Sequence, residues 1–407
     1  MTRQLWVVIH RWAGLTLALF LAVAGVTGIL LPWEDDLEAM TAPHLLRAAP
    51  PVAGAAIRSV PAMVDRALAR HPGMQVSYLP LTVDPGKTLR LRVVWADPAK
   101  APDWDELFID PYTGAELGHR RWGDITQGIS NLMPMLYRLH YTLLLDQTGT
   151  LVMGVAALVW VLDCLVGFYL TWPMGRSRAS GPGWLARWRP SWAVRWRASS
   201  YKVNFDLHRA GGLWIWPILL VFAVSSVSLN LPVVYTPVIQ ALGARDAGAV
   251  FAAPMLPAPR LHPRLDLAGA ERRGQELARQ QAALAGVALR PSGLRWLWHA
   301  PAQGVYIYGF TTQGDVSDTG GESRLSFDSD SGRLIAVQLA ETAPLASRAT
   351  DWIVAMHVAN VWGLGWRIVV SVIGAMVTML SVTGIVIWTR KRSARLYHRR
   401  RHPEQRA

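Results

Sequence analysis

The sequence predicts an α-helical membrane protein. The expected form is a four-transmembrane-helix bundle built from two parallel repeats, each with an α+β module outside the membrane. Three observations predict it. Four apolar runs, at about 5–31, 151–172, 213–231 and 366–388, reach the roughly 20 residues needed to cross about 30 Å of hydrocarbon. The two long segments between them each read as a helix followed by short alternating strands. Histidines recur at fixed places beside the runs: Val8-Ile9-His10-Arg11-Trp12-Ala13-Gly14-Leu15 heads the first, and Asp206-Leu207-His208-Arg209-Ala210-Gly211-Gly212-Leu213 heads the third. His140 and His357 precede the second and fourth, and each stands 27 residues before a glycine, Gly167 and Gly384.

Composition agrees with this class. Of 407 residues, 51% are hydrophobic and 20 are Trp, which is too apolar and too Trp-rich for an ordinary soluble enzyme. The single cysteine, Cys164, lies inside an apolar run, which excludes a disulfide framework and a cysteine-held metal or iron–sulfur centre. The net charge of +13 is concentrated beside the apolar runs, so it reads as a topology signal before a nucleic-acid footprint. Arg176, Arg178, Arg187, Arg189, Arg195, Arg197 and Lys202 lie between the second and third runs, and Arg390, Lys391, Arg392, Arg395 and Arg399–Arg401 follow the fourth. Both segments are expected in the cytoplasm with the N-terminus, and the modules outside, which in a bacterium is the periplasm.

In order, residues 1–33 form the first span, retained because it ends in Leu31-Pro32-Trp33-Glu34 rather than a small-residue cleavage site. Gly14, Gly25 and Gly28 permit close approach by a neighbour. Residues 34–130 form the first module, with a helix at 60–71, strands at 75–83 and 88–95, and a strand–turn–strand through Asp110-Pro111-Tyr112-Thr113-Gly114. Residues 131–174 give an outer-surface helix carrying His140 and then the second span, within which Asp163 is an expensive ionisable group that faces the bundle interior. Its two readings are a proton- or redox-linked group and a hydrogen-bonded structural one. The linker 175–205 spaces Trp184, Trp188, Trp192 and Trp196 four apart among arginines, one stripe of a helix lying at the headgroups. Residues 206–232 are the third span. Residues 233–350 form the second module, with a helix at 267–285, strands at 294–300, 305–311 and 323–328, and a turn through Asp328-Ser329-Asp330-Ser331-Gly332. The fourth span takes 351–390 and a basic tail 391–407.

Two spans per half give both halves one topology, related by an axis along the membrane normal. His10 and His208 are then mates on the inner side, and His140 and His357 on the outer side. A planar ligand on the axis would receive one imidazole from each half, as haem iron does between facing helices. Glycines one turn from His10 and His208 would leave it room, and Arg11 and Arg209 would pair with its propionates. Interfacial packing or a bare metal are the other readings. Zinc fits less well, because two imidazoles need further ligands and no nearby acid recurs in both halves. His44, His71, His119, His262, His299, His398 and His402 share no such spacing. No dinucleotide fingerprint, P-loop or nucleophile elbow is present.

The His-Arg-x-x-Gly-Leu stretch at the first span, the Asp-Pro-x-x-Gly turn between strands and Leu139-His140 before the second span resemble the PepSY-associated transmembrane family. This family includes PiuB-type iron-regulated membrane proteins and FoxB-like ferric-siderophore reductases. The resemblance covers nearly the whole chain. It implies a bacterial inner-membrane protein with four core helices, periplasmic PepSY modules and two b-type haems. By that resemblance His10 and His208 ligate the cytoplasmic-side haem iron, and His140 and His357 the periplasmic-side one. The expected activity is transmembrane electron transfer to a ferric siderophore or other Fe(III) chelate, from quinol or a separate cytoplasmic reductase. No flavin domain is fused here, and no nucleic acid is expected as a partner. The rival readings are a membrane-anchored PepSY module that binds or inhibits a partner without redox chemistry, and a transporter for the chelate.

Overall fold

The computed structural model describes residues 2–52, 54–76, 78–175, 183–245, 253–291 and 293–401, without the side chains of 398–401. Arg176, Arg178 and His402, and the side chains of His398 and Arg399–Arg401, lie outside the described residues.

Helix α1 (Arg3–Leu30) continues through a single turn at Leu31–Trp33 into α2 (Glu34–Thr41), and a short α3 (Pro43–Leu46) follows. In the bundle, α5 (Leu132–Thr142) folds back on α6 (Asp146–Thr171), α8 (Ser200–Trp214) leads into α9 (Trp216–Asn230), and α12 (Leu345–His357) precedes α13 (Gly363–Arg401). Three stretches are long and apolar enough to cross a membrane: Arg3–Thr41, Asp146–Thr171 and Gly363–Tyr397. The pair α8–α9 makes a fourth if it counts as one span, because it bends by 71° at its break. Pro217 sits in the first turn of α9. It has no N–H for the preceding turn and its ring crowds that turn's carbonyl. The apolar run alone reads as an unbroken helix from about 213; the ladder is interrupted at Ile215, and helix extends back to Ser200.

The tightest crossing joins α1 to α13. A Cβ on Gly25 would stand 2.8 Å from the Gly374 carbonyl oxygen, and one on Gly374 would stand 2.7 Å from that of Gly25. Two backbones meet where only glycine leaves room, which is how helices pack without a hydrophobic drive between them. Ser371 adds hydrogen bonds across the same seam, accepting from Trp33 Nε1 at 2.9 Å and donating to the Ile29 carbonyl at 2.9 Å.

Beyond these helices the chain has α4 (Val60–Arg70), strands β1 (Met74–Gln75), β2 (Tyr78–Pro80), β3 (Leu89–Arg92), β4 (Val94–Trp95), β5 (Glu106–Ile109) and β6 (Glu116–Arg120), then α10 (Pro232–Ala241), α11 (Leu267–Ala285) and strands β7 (Trp296–Ala300), β8 (Val305–Phe310), β9 (Ser323–Asp328) and β10 (Leu334–Gln338). The two modules are fused rather than separate. The larger sheet runs β10-β9-β8-β7-β2, with Tyr78 antiparallel to Trp298. A three-stranded sheet β3-β5-β6 and the β1–β4 pair complete the first half. One apolar core serves both, joining Val64, Leu79, Leu91 and Leu107 to Leu277, Tyr308, Leu325 and Phe327. Module one is fastened to α2 by a buried ion cluster, in which Arg120 on β6 bridges Glu38 and Glu106.

The Trp/Arg linker is not one helical stripe. α7 (Trp184–Trp188) is five residues long and tightens into a turn at Arg189–Trp192, because Pro190 cannot continue the ladder. Trp184 and Trp188 pack at a tilt on Trp172 at the end of α6, and Trp188 also meets Phe168 and Trp192 edge-on. Trp196 stays exposed.

Candidate cofactor site

The chain positions four histidines in two close pairs. His10 on α1 lies beside His208 on α8, with ring centroids 6.3 Å apart and planes at 55°. His140 on α5 lies beside His357 on α12, also with centroids 6.3 Å apart, at 77°. Ring nitrogens sit about 1.15 Å from an imidazole centroid and bond metals at about 2.0–2.1 Å, so two imidazoles on opposite sides of one metal have centroids about 6.3–6.5 Å apart. Both pairs have that separation.

Each ring is tethered through Nδ1. His10 Nδ1 is 2.8 Å from Asp163 Oδ1. His208 Nδ1 lies 3.1 Å from the Leu380 carbonyl and 3.0 Å from Thr383 Oγ1. His140 Nδ1 meets Thr27 Oγ1 at 2.8 Å, and His357 Nδ1 meets Ser225 Oγ at 2.7 Å. The hydroxyl protons are spent elsewhere: Thr27 donates to the Val23 carbonyl, Ser225 to that of Phe222 and Thr383 to that of Met379. The hydroxyl oxygens therefore accept, as do the carboxylate and the Leu380 carbonyl. Each Nδ1 carries the proton, and each Nε2 keeps a lone pair with no hydrogen-bond partner among the described residues. A neutral imidazole whose Nδ1–H is held by a neighbour is the metal-binding form.

The packing behind the rings uses matched positions. A Cβ on Gly167 would stand 3.3 Å from His10 Cε1, and a Cβ on Gly384 would stand 3.3 Å from His208 Cε1. Thr27 follows His10 by seventeen residues, and Ser225 follows His208 by seventeen. Seventeen residues of helix rise about 25 Å, so the two pairs sit near opposite ends of α1. Gly14 and Gly212, one turn after His10 and His208, each have one neighbour at ordinary contact distance. A Cβ there would meet Asp163 Oδ2 at 3.9 Å and Leu380 Cδ2 at 3.8 Å.

The two arginines differ. Arg11 stands over Trp12, and its Nε is buried without a partner. Arg209 also has a buried, partnerless Nε, but its Nη2 donates to Asp206 at 2.9 Å and to the Pro190 carbonyl at 2.7 Å. Both orphaned nitrogens suit an anionic group on the ligand. Arg11 has more of its guanidinium to give.

Three other histidines have neighbours within the modules. His71 meets Glu116 at 3.0 Å, His119 stacks on Trp104, and His299 lies against Tyr306. Among the described residues no group of three or more His, Cys, Asp and Glu side chains is arranged to hold a metal ion. Two imidazoles per site suit a metal that brings its other ligands with it, and haem iron does.

A model of the PepSY-associated TM region matches residues 7–391. The chain belongs to that family. None of the curated proteins compared with it matches. PepSY-associated membership, together with the apolar helices, makes this a membrane protein with mixed helix and sheet. Apart from Asp163, the tethers are what sequence reasoning missed in this PepSY-associated chain. Thr27 and Ser225 were detectable, since their equal spacing from His10 and His208 is written in the sequence. Leu380 was not, because it acts through its backbone.

Proposed function

We propose that this chain is a bacterial inner-membrane di-haem b protein that carries electrons outward to a ferric siderophore or similar Fe(III) chelate. One observation carries the reading: four imidazoles, each with Nδ1 tethered and Nε2 left over, stand in two pairs at the separation one metal would require. When bound, each haem would supply a one-electron couple, held by one pair of histidines.

His10 and His208 would hold the inner group and His140 and His357 the outer one, with Arg11 nearest to an inner carboxylate. The bundle would be four spans in two parallel repeats, with α8–α9 as the bent third span. α1 and α6 run antiparallel, since Arg3 meets the Leu170 carbonyl and, two turns further along α1, His10 meets Asp163, two turns back along α6. Both modules then fall on the Thr27 side. The basic linker and tail fall on the His10 side, which the excess of arginine assigns to the cytoplasm. A quinol or a separate cytoplasmic reductase would give electrons at that side. Each Fe(III) chelate would take one electron on the outer side and become Fe(II), which hard oxygen donors hold far less well.

The test is a dithionite-reduced minus air-oxidised absorption spectrum of the detergent-purified chain, with haem quantified. About two low-spin b-type haems per chain are expected, followed by reoxidation when a ferric chelate is added. A colourless preparation, made with ample haem supply, would sink the reading and leave a non-redox membrane anchor for the modules.

A further inference from the structure

The four tethers are not equivalent, and the exception has a direction. Three rings give their Nδ1 proton to neutral oxygens: Thr27, Ser225, and the Leu380 carbonyl with Thr383. His10 alone gives it to a carboxylate, Asp163, whose side chain is only 10% exposed. Asp163 stands four residues before Gly167, and the residue four before Gly384 is Leu380. Each glycine packs on its own half's histidine, so the same helical position bears a carboxylate in one half and an aliphatic side chain in the other. Among the described residues no Lys or Arg forms an ion pair with Asp163; its salt-bridge partner is His10.

We propose that Asp163 sets the potential of the site held by His10 and His208 below that of the site held by His140 and His357, so that electrons move downhill towards the outer pair. The proposal rests on the haem reading above. A carboxylate accepting Nδ1–H pulls that proton towards itself and makes Nε2 a stronger donor. It also places one negative charge, unneutralised by lysine or arginine, in a low-dielectric bundle close to the ligand. Both effects favour the oxidised, more positive iron and lower the potential. The outer pair receives neither, since its tethers are hydroxyls whose protons are committed to Phe222 and Val23 carbonyls. Asp163 is thus a positioning residue: it touches a ligand, not the metal.

The experiment is a spectroscopic redox titration of the full-length chain in detergent, with His10→Ala and His140→Ala used to assign the two waves. The lower wave should disappear in His10→Ala and the upper in His140→Ala. Asp163→Asn should raise the lower wave by at least tenfold in the reduced-to-oxidised ratio, about 59 mV for a one-electron couple, and leave the upper wave in place. Asp163→Glu, which keeps the charge, should retain most of the low value. Two haems with the lower wave on the outer pair would overturn the proposal even if Asp163→Asn fails to fold. So would an Asp163→Asn titration that superimposes on the wild type. A chain that binds no haem fails the earlier reading as well, and the haem assay tells the two failures apart.

Discussion

The two histidine pairs share a separation but are built differently. His10 and His208 stand in the interiors of α1 and α8, and the elements behind them are α6 and α13, each pressed close by a glycine. His140 and His357 stand near the ends of short helices, and each is followed by a tight reversal. Leu143, Leu144 and Asp146 have φ of 53°, 60° and 49°, and Ala359 and Trp362 have 56° and 53°. Left-handed backbone at non-glycine residues costs energy and survives only where its surroundings impose it. Both pairs rest on bundle helices, with Gly28 against His140 and Phe222 against His357, but the outer pair is also closed by strained turns at its rim. The inner pair should resist local change, and the outer should be the one that loosens.

The largest effect that could break this comparison is loss of a ligand. Replacing either His10 or His208 by Ala should remove about half the bound haem, replacing His140 or His357 should remove the other half, and the two losses should add when combined. Pyridine haemochrome counts per chain would show it, and full haem retention in His10→Ala with His208→Ala would end the pairing. Next in size are the hydroxyl tethers. Thr27→Val and Ser225→Ala leave the buried Nδ1–H with only the Ala24 or Phe222 backbone carbonyl to turn to, and should weaken retention at the outer pair by about 10–100-fold while sparing the inner one. Haem transfer to apomyoglobin, followed as two phases, separates the sites.

The smallest effect sharpens the contrast through pH. Asp351, on the helix that carries His357, has its carboxyl pushed up to about 7 by burial first and then by Glu322, against the pull of Arg324. It stays protonated in the folded protein where the unfolded chain would ionise, so it costs stability progressively as pH climbs from about 4 towards 7. Asp351→Asn should flatten that fall, by about 1 kcal/mol near neutral pH once solvent screening is allowed for. Melting curves of the full chain at pH 5 and pH 8 measure it; an unchanged difference between the two would remove Asp351 as the cause.

Much of this was legible in the chain because it is carried by local pattern. The four apolar runs, the α11 limits at 267–285 and the strand pairs around Asp110 and Asp328 follow from hydrophobic period and turn residues. The histidine pairing followed from spacing. Three features were not legible from period. Pro190 and Pro217 are visible as letters, yet stripe and run counting read straight through them. Asp163 stood out as a costly group in an apolar run, but its partner lies 153 positions away and only the crossing of α1 with α6 joins them. β2 has three residues and pairs only with a strand of the other module, so its role depends wholly on tertiary context.

That last feature governs how the protein can be made. Tyr78 is synthesised long before its partner Trp298, and the second and third apolar runs lie between them. The first module cannot complete its sheet on emerging from the ribosome. Its core, which needs Leu277, Tyr308 and Phe327 as well as Leu79 and Leu107, stays open until the second module has been made. Pairings so distant in sequence form slowly. Biogenesis therefore carries a built-in wait, during which the half-built sheet presents a bare edge to whatever chaperone or protease is near, and truncation after the second span should yield a degraded fragment rather than a folded half.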